Sequence, residues 1–287
     1  MKNITALLER IRKEQDHFPC AQKKVAAYVV ENYQQVAFLS ISALAQRVGV
    51  SENTVIKFCN QLGFSKFTEF KKEFTEYAHS KLLIYNKIGS GAKTTDGEDN
   101  VWSMIRNDGI AVLKETLSDT QNQSNLPKLL THMQNAQHIY VTGGRLSGVI
   151  AAMLASKLRY LKLQVHDLSS GTVGDFIDQT TFVQPEDLVI AISFPRYTKR
   201  VVEALQNLHH RGVPIALITD KGLSPVDPYA DVVFRCATDS SAFLPCYLGC
   251  IALTDVICQA VCMQNREEII EYVHDLEKRL ITEGIWM

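Results

Sequence analysis

The sequence predicts two domains: an all-helical N-terminal domain, followed by an α/β domain built on a doubly wound parallel sheet. Three observations predict this fold class. The chain has 287 residues, which at about 150 residues per domain suggests two domains. Apolar residues repeat with helical spacing from Ile4 to about Ala78. After His138 the pattern changes to short apolar runs that alternate with helical segments, as in doubly wound sheets.

The composition is that of an ordinary globular protein. With 46% hydrophobic and 21% charged residues, it excludes a disordered chain, a collagen-like chain and a coiled-coil rod. The longest uncharged run, Ser240 to Thr254, contains Pro245 and is shorter than the roughly 20 residues of a spanning helix. We therefore expect no membrane partner, and the charged N-terminus (1–16) predicts no secretory signal.

The seven cysteines predict reduced thiols in a cytoplasmic protein, because their number is odd and no CxxC pair occurs. Four of them share one helical stripe, with no His or carboxylate at ligand spacing: Cys246, Cys250, Cys258 and Cys262. Small apolar core residues explain this stripe better than a metal-binding face does. We predict no metal and no cofactor.

The chain divides into four predicted segments. A helical head covers 1–78, and a linker with a connecting helix follows over 79–125. The α/β domain covers 126–265, and a C-terminal helix covers 266–287. The predicted strands are 138–142, 164–167, 187–193, 213–219 and 231–235. The predicted helices after residue 100 are 101–118, 126–135, 146–161, 197–211, a short one at 225–229, and a helical tail over 243–281.

The head contains a helix-turn-helix pattern between Ile41 and Asn60. Gly49 suits the left-handed conformation of a tight turn, and Ser51 suits the cap of the second helix. Val55 and Phe58 then point inward.

Polar residues are left on the outer side of this second helix, where they suit base edges and phosphates in a major groove. Charge is also unevenly distributed: residues 1–80 hold 11 Lys and Arg against 8 Asp and Glu, and residues 81–287 hold 19 against 23. A polyanion is therefore expected at the head. The candidate DNA-binding residues are Ser51, Asn53, Thr54, Lys57, Asn60 and Lys66. The alternative is a plain helical hairpin with a solvated polar surface.

The segments 25–32, 51–64 and 67–70 closely resemble the N-terminal helix-turn-helix of the RpiR family of bacterial transcriptional regulators. The resemblance covers roughly residues 4–78 and implies binding to a double-stranded DNA operator. Lys57 stands where this family usually has Arg, which keeps the charge without the bidentate fork.

Two predicted strands end in motifs suited to an anion. The first strand is followed by Gly143-Gly-Arg-Leu-Ser-Gly148 and then at once by a helix, whose N-terminus and N–H groups favour negative charge. The strand at 187–193 ends in Ser193-Phe-Pro-Arg-Tyr-Thr198, where Arg196 offers a fork of donors. The candidate effector-binding residues are Gly144, Arg145, Ser147, Ser170, Ser193, Arg196 and Thr198. The segment 169–172 fits the rim of the same crevice and a solvated turn equally well.

These features resemble the SIS (sugar-isomerase) domain that forms the C-terminal part of RpiR regulators, over about residues 126–265. SIS domains generally bind phosphosugars, usually through a Ser-x-Ser-Gly-x-Thr motif. Here Pro195 replaces the second Ser and Arg196 replaces the Gly. Three ligands stay open: a phosphosugar held by Arg196, a carboxylate, or an unphosphorylated polyol.

The combination predicts a non-enzymatic transcriptional regulator that senses a small anionic sugar-like effector and controls genes of sugar uptake or catabolism. As such heads usually act in two-fold pairs, we expect a homodimer or homotetramer. One alternative is a sugar-phosphate isomerase, with Glu203, His166 or Asp175 as the base. Another is a ligand-sensing module that acts on a protein partner.

Overall fold

The computed structural model describes residues 4–37, 39–82, 98–170, 173–222 and 224–285. The chain forms two compact units, Met1–Gly91 and Ala92–Met287. Residues 83–97 of the predicted linker lie outside the described residues.

The first unit is helical throughout. Its helices are α1 (Ile4–Glu14), α2 (Cys20–Glu31), α3 (Tyr33–Val36), α4 (Ile41–Val48), α5 (Glu52–Gln61) and α6 (Phe67–Leu82), with a 3₁₀ turn at Gln15–His17. Aromatic rings close the core, since the Phe58 ring lies 5.2 Å from that of Phe18 and 5.8 Å from that of Phe70, centroid to centroid. The predicted helical head is confirmed.

The second unit is built on a five-stranded, wholly parallel sheet with strand order β2-β1-β3-β4-β5. The strands are β1 (Ile139–Gly143), β2 (Val165–Asp167), β3 (Leu188–Ile192), β4 (Ile215–Asp220) and β5 (Val232–Cys236). The helices are α7 (Glu98–Leu117), α8 (Thr120–Asn135), α9 (Leu146–Arg159), α10 (Val173–Phe182), α11 (Lys199–His210), α12 (Leu248–Gln264) and α13 (Arg266–Thr282), with a 3₁₀ turn at Asp227–Tyr229. All five predicted strands are present, and the predicted fold class is confirmed.

Both faces of the sheet are buried, which explains why its strands are apolar on both sides. On one face, strand residues such as Val141 and Ile190 pack with Leu154 of α9 and Ile257 of α12. On the other face, Leu217 and its neighbours pack with helices α10 and α11. Because the strands are parallel, the carboxyl ends of β1, β3 and β4 lie at the same edge of the sheet, and this edge holds the candidate site.

Helix α8 begins six residues earlier than the pattern predicts. Asp119 caps it by accepting a hydrogen bond from the Asn122 N–H (2.9 Å), and Pro127 lies within the helix. The early turns cover the edge of the sheet: Asn122 Nδ2 donates to the Arg235 carbonyl (2.7 Å), and Asn122 Oδ1 accepts from the Arg235 N–H (2.8 Å). Two tertiary hydrogen bonds thus compensate for poor helix formers.

Two further elements differ from the expectation. The sequence predicts no helix between the second and third strands, yet α10 lies there. The helical tail begins at Leu248, five residues later than predicted, and forms α12 and α13, which meet at Asn265 with an angle of 105°. None of the described helices is by itself long and apolar enough to cross a membrane. The bent pair α12 and α13 reaches the required length and apolar composition only when the two helices are taken together.

Candidate functional site

The turn between α4 and α5 is fixed by capping at both ends. Ser40 caps α4, and Gly49 ends it in the left-handed conformation (φ 70°, ψ 42°). The Val50 N–H then donates to the Ala45 carbonyl (2.9 Å), which completes a Schellman-type ending. Ser51 caps α5 by accepting a hydrogen bond from the Thr54 N–H (3.2 Å). The chain thus folds here as a helix-turn-helix.

Helix α5 has one buried face and one exposed face. Val55 and Phe58 are fully buried, as predicted. Of the candidate DNA-binding residues on α5, Asn53, Lys57 and Asn60 are exposed. These three side chains present a polar, singly cationic surface one to two turns long.

The remaining candidates in the head also form hydrogen bonds at the starts of α5 and α6. The Ser51 and Thr54 hydroxyls share a hydrogen bond (2.9 Å) within the cap of α5. Lys66 has an exposed side chain, and its carbonyl accepts from the Phe70 N–H (3.3 Å) at the start of α6. Ser51 and Thr54 thus stabilise the start of α5, and the Lys66 carbonyl takes part in the first turn of α6.

Two backbone hydrogen bonds close the turn between β1 and α9. The Ser147 N–H donates to the Gly144 carbonyl (3.2 Å) and the Gly148 N–H to the Arg145 carbonyl (3.0 Å). The N–H groups of Arg145 and Leu146 precede these bonds at the N-terminus of α9, where backbone N–H groups have no partner within the helix. Arg145 is exposed and adopts φ 58°, and Ser147 is buried (6% exposed).

The loop after β3 lies against this turn. A Cβ on Gly144 would lie 2.2 Å from Thr198 Oγ1, so the Thr198 side chain fills the space that glycine leaves. Ser193 is buried (4% exposed), and its N–H continues the ladder to the Ile218 carbonyl (3.0 Å). The structure therefore brings two of the predicted effector motifs together at one edge of the sheet.

Arg196 occupies the middle of this loop with φ 75°. Its guanidinium lies beside the hydroxyl of Tyr247, the residue before α12. Burial raises the pKa of Tyr247, and the positive charge of Arg196 opposes that rise. The Tyr247 ring packs edge-on against Phe194 at 5.0 Å between centroids.

Ser170 makes fewer hydrogen bonds than its neighbour Ser169. The Ser170 hydroxyl is exposed, and its one hydrogen-bond partner among the described residues is the Asp167 carbonyl (3.5 Å). The Ser169 hydroxyl instead donates to the Gly148 carbonyl in α9 (3.0 Å) and contacts the Asp167 carboxylate. Ser169 thus ties the segment after β2 to the turn, while residues 171 and 172 lie outside the described residues.

Sequence reasoning missed a hydrogen-bonded network beneath the loop after β3. Tyr197 Oη donates to Asp220 Oδ1 at the end of β4 (2.8 Å). Burial, together with the Asp220 charge, raises the pKa of Tyr197 well above its usual range. Thr219 Oγ1 donates to the Ser193 carbonyl (2.6 Å). The loop is therefore fastened to β4; the only signal in the sequence was that polar residues end both strands.

Two of the three residues considered as bases for an isomerase have other partners. Glu203 pairs with Lys199 (3.3 Å) on the surface of α11. His166 stacks on Tyr140 (4.8 Å between ring centroids) and lies 3.5 Å from the His138 ring nitrogen. The side chain of Asp175 lies outside the described ones. Within the described part of the chain, no group of three or more His, Cys, Asp and Glu residues is arranged to hold a metal ion.

Two family models match the chain, one for each unit. The model of the helix-turn-helix domain of the rpiR family matches residues 5–81. The model of the SIS domain matches residues 132–260.

Several curated proteins resemble nearly the whole chain. An HTH-type transcriptional regulator of Caldanaerobacter subterraneus subsp. tengcongensis is 24% identical over 281 residues, which cover 96% of this chain and 98% of that protein. The HTH-type transcriptional regulator HexR of Pseudomonas aeruginosa is 24% identical and covers 98% of this chain and 96% of its own length.

Solved structures share the fold. The sugar isomerase domain of an RpiR transcription factor from Sphaerobacter thermophilus has a TM-score of 0.57 and 26% identity, over 61% of this chain and 97% of that chain. The NanR protein of Vibrio vulnificus, solved with ManNAc-6P, has a TM-score of 0.61 and 20% identity, over 96% of this chain and 98% of that chain.

Proposed function

Since the chain belongs to the RpiR family of helix-turn-helix regulators with a C-terminal SIS domain, we propose that it is a DNA-binding transcriptional regulator whose SIS domain senses a phosphosugar or a related anionic sugar metabolite. Its operator lies near genes of sugar uptake or catabolism. The observation that carries the sensing role is the contact between Gly144 and Thr198. This contact brings two strand ends and a helix N-terminus together, and we propose that the crevice bordered by residues 143–148 and 193–198 binds the effector.

The exposed face of α5 supports the DNA-binding role. Asn53 suits an adenine edge in a major groove, and Lys57 suits a phosphate or a guanine edge. Val55 and Phe58 hold this face firmly because they are fully buried beneath it. Lys66, at the start of α6, suits the adjoining phosphates.

The crevice of the SIS domain supports the sensing role. The N–H groups of Arg145 and Leu146, with the dipole of α9, favour a phosphate at the turn. The Ser147, Ser193 and Thr198 hydroxyls suit the phosphate or sugar oxygens, and NanR, a protein of the same fold, was solved with ManNAc-6P. Ser170 lies at the rim. We expect this crevice to bind its ligand without catalysing a reaction on it, because the curated relatives are named transcriptional regulators. Two of the three residues considered as bases, Glu203 and His166, also have the other partners described above.

The outer face of α12 supports self-association. It forms an open groove of about 750 Å³ whose lining is mostly apolar and includes Leu126, Leu161, Val256, Cys258, Ala260 and Met263. Met263 is 72% exposed there. We propose that this face packs between protomers of a homodimer or homotetramer, which pairs two heads on a palindromic operator.

The direct test is a selection of genomic DNA fragments by the full-length protein, followed by anisotropy titrations at several salt concentrations. Lys57→Ala should weaken binding and lower the slope of log affinity against log salt by about one. Lys24→Ala is the matched control, because Lys24 is an exposed lysine on α2 outside the proposed face. Equal losses in both variants, or none in either, would show that α5 does not read DNA.

The oligomer is tested by sedimentation equilibrium at micromolar concentration. Wild type should sediment as a dimer or tetramer, and Met263→Glu should shift it toward the monomer, because a charge would be buried in an apolar interface. A monomeric wild type, or a Met263→Glu oligomer as tight as wild type, would remove α12 from the interface.

A further inference from the structure

Arg196 stands in a backbone conformation that favours glycine. Its φ is 75°, and L side chains in the left-handed region crowd their own backbone. Only three described non-glycine residues share this feature, and two of them, Arg145 and Arg196, belong to the loops of the crevice. A strained residue in a binding loop points to a role for its side chain.

The guanidinium of Arg196 has no carboxylate partner among the described residues. The nearby acidic groups are engaged elsewhere: Asp220 accepts from Tyr197 (2.8 Å), and Asp227 pairs with Arg235 (2.7 Å). Arg196 lies instead beside the neutral Tyr247 hydroxyl and is half-buried. A partly buried cation without a counter-charge attracts an anion.

This cation is separate from the place proposed for the phosphate. The same loop presents Thr198 to Gly144 at the turn before α9, whereas Arg196 reaches Tyr247 at the start of α12. The crevice thus has two anion-attracting ends, one made of backbone N–H groups and the other of a guanidinium. Phe194 and Tyr247, whose rings pack together, wall the second end.

We propose that the effector is a sugar acid phosphate: its phosphate binds at the turn between β1 and α9, and its carboxylate binds Arg196. This inference rests on the proposed function and narrows its ligand class. The planar fork of Arg196 matches both oxygens of a carboxylate. The protonated Tyr247 hydroxyl donates a further hydrogen bond to one of them. An unphosphorylated polyol or a simple sugar phosphate would leave the cation uncompensated.

The test compares matched ligands in titration calorimetry with the full-length protein. 6-Phosphogluconate and sorbitol 6-phosphate are both open chains and differ at C1, which is a carboxylate in one and a hydroxymethyl in the other. Three further pairs of aldonic acid phosphates and alditol phosphates cover other stereochemistries. In at least one pair the acid should bind about tenfold or more tightly, as charge-assisted hydrogen bonds imply.

Arg196→Gly isolates the side chain because glycine suits φ 75° and relieves the backbone instead of straining it. In this variant the preference for the acid should fall to about twofold or less. Arg196→Lys should keep only part of the preference, because lysine lacks the fork. Tyr247→Phe should reduce it by a smaller factor.

Two outcomes contradict the inference in different ways. If alditol phosphates bind as tightly as their acids, or if the preference survives in Arg196→Gly, the carboxylate assignment is wrong while phosphosugar sensing stands. If no member of either class binds the wild type, the carboxylate assignment is wrong, and if ManNAc-6P does not bind either, the proposed sensing function is wrong as well.

Discussion

Replacing Gly144 with alanine would place a methyl group into the closest contact between the two loops of the crevice. The new Cβ would lie 2.2 Å from Thr198 Oγ1 and 2.8 Å from Thr198 Cβ. Carbon atoms pack without repulsion at about 3.5–4.0 Å. The loops must therefore separate by roughly 1 Å, or Thr198 must leave its rotamer.

The free energy of unfolding should fall by about 0.5–2 kcal/mol. Overpacking costs about 1–3 kcal/mol, and the stiffer unfolded chain offsets about 0.4–1 kcal/mol of this. Gly144 is not among the positive-φ glycines, so no backbone strain adds to the cost. For a unit of this size the melting temperature should drop by roughly 2–6 °C. Effector affinity should fall more, about tenfold, because the two loops converge on the ligand.

Calorimetry gives the melting temperature, and titration with the panel ligand that binds wild type best gives the affinity. Gly212→Ala is the control: Gly212 has φ 80° and open space around it, so it should lose stability through strain alone and keep its ligand affinity. Thr198→Ala removes the nearest atom, and the double variant should be more stable than the sum of the single changes by about 1 kcal/mol. Wild-type stability and affinity in Gly144→Ala would refute the close contact.

Three further outcomes follow from other contacts. Ser51→Ala should cost about 1 kcal/mol of stability in thermal unfolding through the lost cap, whereas Asn53→Ala should leave stability unchanged and weaken DNA binding by about 1–3 kcal/mol; the reverse pattern would contradict the assigned face of α5. Asn122→Ala should destabilise the second unit by about 1–3 kcal/mol in denaturant titrations, because the Arg235 backbone N–H and carbonyl would lose their hydrogen-bond partners. A loss below 0.5 kcal/mol, within the usual range for a surface change, would count against a stabilising role for these two hydrogen bonds. Partial desolvation of the His166 ring, which is otherwise exposed, and the neighbouring His138 lower the pKa of His166. The unfolded chain therefore binds more protons near the ordinary pKa, and stability should rise as pH increases through about 6.5; His166→Gln should flatten this rise, and an unchanged pH profile would dismiss the effect.

The sequence predicted those parts of the fold that are recorded in local periodicity. Runs of apolar residues identified four of the five strands, the short segment 164–167 was a weaker candidate for the remaining one, and Gly49 with Ser51 located the turn of the head. Helix α10 was missed because its sequence holds Gly174 and a Thr-Thr pair, which are poor helix formers. The start of α8 was missed because its stability comes from contacts with β5, far away in sequence.

The candidate site was predictable only in part for the same reason. Strand-end motifs pointed to Gly144 and Thr198, but not to their mutual contact. Tyr197 and Tyr247 looked like ordinary loop residues because their partners, Asp220 and Arg196, are 23 and 51 positions away in sequence. Their roles depend on tertiary distances that no local pattern records.

We expect a ligand bound in the SIS crevice to change the affinity of the head for DNA, and an anisotropy titration measures this change. The full-length protein is titrated into its selected genomic fragment, with and without a saturating concentration of the panel ligand that binds it best. We expect a steep fall in affinity between 50 and 200 mM salt and a ligand-induced change in Kd of about fivefold or more. Arg196→Gly should still bind DNA and should need a higher ligand concentration for the same change in Kd. A Kd that is the same with and without ligand in the wild-type protein would contradict the expected ligand effect.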